Sequence, residues 1–70
     1  MVMNEERKTA LKNIYNSGWG YFKDLQNSIG NEILSEFVSV GFIICGYTRK
    51  KKTWRISNLG KHYVQDLDLA

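Results

Sequence analysis

Seventy residues with 43% apolar and 13% aromatic side chains suffice for one small core, so a single domain over residues 1–70 is expected. That apolar content with only 24% charged residues argues against a disordered chain, and no apolar run approaches the roughly 20 residues of a bilayer-spanning helix. The formal charge of +3 is mildly basic, and a chain this short has few ways to enclose a substrate pocket, so a binding module is expected rather than an enzyme.

The elements follow in chain order. The N-terminus turns charged within five residues, unlike a signal peptide. Residues 5–16 read as a helix: Leu11, Ile14 and Tyr15 share a face, with Arg7 and Ala10 on the preceding turn. Asn4 is the expected N-cap, and Asn16-Ser17-Gly18 the stop. A second helix is predicted over 20–28, from the spacing of Phe22, Leu25 and Ile29. Trp19 and Tyr21, at its start, are expected to pack in the core. After a turn of about three residues, Ser28 to Gly30, a third helix is predicted over 31–40. It separates an apolar stripe (Ile33, Leu34, Phe37, Val38) from a polar one (Glu32, Ser35, Glu36, Ser39).

The period then changes. Residues 42–57 read as a β-hairpin around the polar tip Arg49 to Lys52, with Trp54 and Ile56 on one face and Thr53 and Arg55 on the other. Gly46 suggests a bulge or a close backbone approach, and Tyr47 is expected to pair across the hairpin with Trp54. Ser57-Asn58 caps a last helix over 58–67, whose expected inner face is Leu59, Tyr63, Val64 and Leu67. Cys45 lies in a strand expected to be buried. A lone cysteine without an internal disulfide partner fits a reducing, cytoplasmic setting. His62 is the only histidine, so no metal-ligand set, cofactor site or Cys/His nucleophile can be assembled.

The charge is unevenly placed. Residues 1–48 sum to −1, residues 49–61 to +6 and residues 62–70 to −2. Four consecutive cations, Arg49, Lys50, Lys51 and Lys52, must sit in water, and on a projecting hairpin they suit a phosphate backbone.

Two stretches carry a family resemblance. Leu34-Ser-Glu-Phe-Val-Ser-Val-Gly-Phe-Ile-Ile is similar to the end of a winged-helix recognition helix running into its first wing strand. Thr53-Trp-Arg-Ile-Ser-Asn-Leu-Gly-Lys-His-Tyr resembles the second wing strand and following helix, with Ile56, Ser57 and Gly60 in the matching positions. The whole chain thus resembles a winged helix-turn-helix domain, an α+β fold that is mainly α. It is similar to small archaeal and viral winged-helix proteins and to MarR-like and PadR-like regulators. The resemblance implies transcription regulation by double-stranded DNA binding. The third helix would enter the major groove and the wing would meet the phosphates, often in a homodimer. Ser57 and Gly60 would be structural.

The resemblance implies two sets of site residues. Wing and backbone contacts fall to Arg49, Lys50, Lys51, Lys52 and Arg55, with Lys12 or Lys23 on the scaffold. Five engaged cations would give a slope of roughly −4 to −5 in log K against log salt. Third-helix contacts fall to Asn31, Glu32, Ser35, Glu36 and Ser39. That helix contains no Lys or Arg, and two carboxylates facing a polyphosphate are unfavourable unless cations offset them. The alternative is that Glu32 and Glu36 suit a basic protein partner, making the domain an adaptor or inhibitor, for example a viral one. A third reading is an RNA- or single-strand-binding module using Tyr21, Tyr47 and Trp54. Homodimerisation is expected through apolar residues near the two ends, Val64, Leu67 and Leu69, and Met1 to Met3.

Overall fold

A computed structural model describes residues 3–67. Within them the chain is α+β and mainly helical. Four helices, α1 (Glu5–Ser17), α2 (Phe22–Ile29), α3 (Asn31–Ser39) and α4 (Asn58–Asp66), pack with three strands, β1 (Trp19–Tyr21), β2 (Ile43–Thr48) and β3 (Lys51–Ile56). The strands form one antiparallel sheet in the order β1-β3-β2. No helix of the described residues is long and apolar enough to cross a membrane.

Local signals act where expected at α1 and α4. The Asn4 side chain accepts from Arg7 N at 2.9 Å, satisfying one of the amides that a helix start leaves without a partner. Ser57 caps α4 by accepting from Gly60 N at 3.0 Å, and its hydroxyl donates to Gly41 O at 2.5 Å. One buried side chain therefore joins the end of the α3 turn to the start of α4.

The second helix begins at Phe22, two residues later than its spacing predicts, because residues 19–21 leave the helix to pair with β3. Trp19, Gly20 and Tyr21 lie opposite Arg55, Trp54 and Thr53. Gly20 lets this pairing close over the Trp54 ring, since a Cβ there would sit 3.0 Å from its indole nitrogen. The α2–α3 connection is shorter than expected. Gly30 alone separates the helices, at φ 85° and ψ 158°, a region only glycine occupies at low cost.

Across the hairpin, Ile43 to Thr48 pair with Ile56 to Lys51 without interruption, so Gly46 marks no bulge. The register places Cys45 opposite Trp54 and Tyr47 opposite Lys52, which replaces the expected Tyr47–Trp54 pair. The turn is two residues, Arg49 and Lys50, at φ 51° and 68°.

Leu11, Ile14, Phe37 and Val64 are the most deeply buried side chains, ringed by Leu25, Ile33, Leu34, Phe42, Ile43, Trp54 and Ile56. Four core expectations change. Leu59 is 55% exposed because α4 turns Gly60 inward instead; a Cβ at Gly60 would meet Phe42 O at 2.8 Å and Ile56 Cγ1 at 2.9 Å. Leu67 and Val38 are partly exposed, at the ends of their helical stripes. Cys45 is exposed because it faces an open cleft between the hairpin and α3 and not the core. Trp19 and Tyr21 are exposed on the outer side of the sheet.

Candidate nucleic-acid interface

Strand alternation decides where each cation stands. Successive side chains of β3 point to opposite faces. Trp54 and Ile56 face the helices and are buried, so Lys52 shares their side, whereas Lys51 and Arg55 share the outer side with Thr53. Arg49 and Lys50 occupy the tip itself. The expected wing patch is therefore divided three ways, and no single surface holds all five cations.

On the helix side, Lys52 stands beside α3. Its ammonium lies 4.0 Å from the centroid of the Phe22 ring. Phe22, Lys52 and Cys45 join Asn31, Leu34, Ser35, Val38 and Ser39 around an open cleft of about 280 Å³. Three of the five predicted third-helix residues thus line one groove with one wing cation. Asn31 is held there by Gln26, whose amide nitrogen donates to the Asn31 Oδ1. The starts of α2 and α3 lack a side-chain cap, and each carries an acid in its first turn, Asp24 and Glu32, that offsets the positive end of the helix. Lys23, Lys51 and Lys52 flank the α2 start, together with Asp24.

The two glutamates of α3 lie on a different side. Arg7 of α1 reaches Glu36 with two bonds, Nε to Oε2 at 2.6 Å and a terminal nitrogen to Oε1 at 3.0 Å. The same guanidinium is 3.5 Å from Glu32. The Arg7 side chain is only 14% exposed, so the clamp is partly shielded from solvent. Hydrogen bonding and attraction by Arg7 hold the Glu36 carboxyl below its ordinary pKa, and Glu36 in turn raises that of Arg7. Glu36 is consequently engaged within the fold and does not present a free carboxylate to a base or a partner. Glu32 remains exposed, next to a compensating charge.

What the sequence does not reveal is the partner of Arg7. Arg7 stands four residues before Leu11 and seven before Ile14, on the stripe that faces the core. A cation at an inward position needs an acid; that signal was available, although its partner lies 29 residues away.

The other predicted contributors are dispersed. Tyr47 is 75% exposed and shares the helix-facing side of the hairpin, Trp54 is buried, and Tyr21 is on the outer face, so these three form no common stacking surface. Val64 is fully buried and offers nothing to a second copy. Met3 packs partly against the core, while Met1, Val2 and Leu69 fall outside the described residues. Among the described residues, no three His, Cys, Asp or Glu side chains group to hold a metal ion. Comparison of the chain with protein-family models, characterised proteins and solved structures yields no match.

Proposed function

We propose that the chain is a winged helix-turn-helix module that binds double-stranded DNA. In this reading α3 faces a groove and the β2–β3 hairpin is the wing. The element order and the β1-β3-β2 sheet are compatible with that layout, while the one-residue α2–α3 connection is tighter than the roughly three- to four-residue turn usual for it.

The observation that carries the reading is the hairpin tip. A two-residue turn with both residues at positive φ is the place for Asn-Gly or Gly-Gly, because L-side chains are strained there. Here Arg and Lys occupy both positions. Conformational preference does not account for that choice, whereas phosphate contact does. Lys52 extends the contact toward the α3 groove. The Arg7 clamp supplies the charge compensation that an acidic helix near a polyanion requires. The adaptor reading, by contrast, needs a free carboxylate pair, and Glu36 is already partnered.

Fluorescence anisotropy on a generic duplex, at salt from about 50 to 200 mM, tests the proposal. Arg49→Ala, Lys50→Ala and Lys52→Ala combined should flatten the log K against log salt slope by about three units and weaken all sequences alike. A wild-type protein that binds no duplex at low salt would overturn it.

A further inference from the structure

The outer face of the sheet is free of helices and has its own composition. Register places Trp19, Arg55 and Ile44 in one row across β1, β3 and β2, and Tyr21, Thr53 and Gly46 in the next. Lys51 follows on the same side of β3. Trp19 is 65% exposed, Tyr21 42% and Ile44 41%. None of the three strands contains an acidic residue. Gly46 leaves one corner without a side chain, and a shallow cleft of about 190 Å³ opens there, bordered by Trp19, Ile44, Thr53 and Arg55.

Each of these two rings has a cation near it, Arg55 by register for Trp19 and Lys51 over one face of Tyr21. Arg55 is directly opposite Trp19 on the neighbouring strand, roughly 5 Å away. The Lys51 ammonium lies 5.2 Å from the Tyr21 centroid. The two rings are two residues apart on β1, with centroids 6.4 Å apart and planes at 70°. Ring plus adjacent cation is the complement of a nucleotide, whose flat base is joined to a phosphate through one sugar. Two such pairs in succession complement two successive nucleotides of an unpaired strand.

We propose that this outer face binds single-stranded nucleic acid, with bases stacking on Trp19 and Tyr21 and phosphates meeting Arg55 and Lys51. A second copy of the chain suits the face poorly. Arg55 lies on the central strand, and a two-fold contact would cover it and its copy with no acid from any strand. Duplex DNA suits it no better, because paired bases present no open ring face. Trp19 and Arg55 lie on the face of the sheet opposite the α3 groove and take no part in the duplex reading; Lys51 and Lys52 meet at the start of α2.

The test compares a mixed-sequence oligonucleotide of about 10 nucleotides, as DNA and as RNA, with a duplex, by anisotropy and by tryptophan fluorescence. Trp54 is buried, so quenching by the oligonucleotide reports Trp19. Trp19→Ala should weaken single-strand binding about 10- to 100-fold, Trp19→Phe should retain most of it, and duplex affinity should stay unchanged for both. Arg55→Ala should make the single-strand salt slope shallower by about 0.7. Arg49→Ala with Lys50→Ala should move only duplex binding, which separates failure of one reading from failure of the other. If Trp19→Ala perturbs the circular dichroism spectrum, Arg55→Ala and wild-type quenching decide alone. Absence of single-strand binding and quenching at low salt overturns the proposal. So does a concentration-dependent dimer that Trp19→Ala abolishes, which would assign the face to a second copy, or selective binding of an acidic peptide in place of the oligonucleotide.

Discussion

Replacing the hairpin tip, Arg49→Asn with Lys50→Gly, should make the protein more stable and a poorer DNA binder. Both residues sit in the left-handed region, at φ 51° and 68°, where an L-residue costs roughly 1–2 kcal/mol. Asn tolerates this conformation and Gly is at ease in it, but Gly in the unfolded chain has more freedom to lose, about 0.5–1 kcal/mol. The net gain for the pair is about 1–2 kcal/mol, which raises the melting midpoint of a domain this size by about 5–15 °C. Binding should move the other way. Two lost phosphate contacts make the salt slope shallower by about two units. Thermal melting followed by circular dichroism, and anisotropy on a duplex over a salt series, read the two effects on one sample. An unchanged or lower midpoint would refute the strain argument. A higher midpoint with an unchanged salt slope would show that the tip does not touch phosphate.

Other perturbations follow from the same geometry. Gly60→Ala drives a methyl into Phe42 O and Ile56 Cγ1; overpacking of about 1–3 kcal/mol should exceed the up to 1 kcal/mol gained in helix propensity, so urea unfolding should show a net loss. Ser57→Ala removes both the α4 cap and the donor to Gly41 O, and should destabilise by about 1–2 kcal/mol in the same assay. Because Arg7 lowers the Glu36 pKa in the folded state, the stabilisation is present above the ordinary carboxylate value of 4.5 and is lost as pH falls through the lowered one. Chemical unfolding from pH 7 to 2 should therefore show a smaller acid-side loss in Glu36→Gln than in the wild type. Arg7→Met leaves Glu32 and Glu36 uncompensated on α3, so duplex affinity at low salt should fall although the substitution lies outside the groove.

The elements written into short stretches of chain were legible without coordinates. Asn4 and Ser57 act as caps because a cap is a bond between residues three apart. The apolar stripe of α3 is legible for the same reason, at a spacing of three and four; only Val38, at its margin, is exposed. β1 was not legible, because three residues are too few to display alternation, and their extended state comes from pairing with residues more than 30 positions away. Likewise Leu59 and Gly60 both fit the start of an inner stripe, and the close approach of Phe42 and Ile56 selects Gly60.

Of the candidate site, the sequence by itself determined its inventory: a run of cations on a hairpin, an acidic third helix, exposed polar residues along that helix, and a +6 segment in an otherwise slightly acidic chain. Tertiary structure decided how that inventory is divided. Side chains along a strand alternate, so the register alone sends Lys52 to the α3 groove and Lys51 and Arg55 to the opposite face, where Trp19 and Tyr21 join them. It also brought Arg7 onto Glu36 across 29 residues, turning an apparent repulsive surface into an internal ion pair. Composition counts charges, but whether two of them cooperate depends on separations of a few ångströms, which only the folded chain sets.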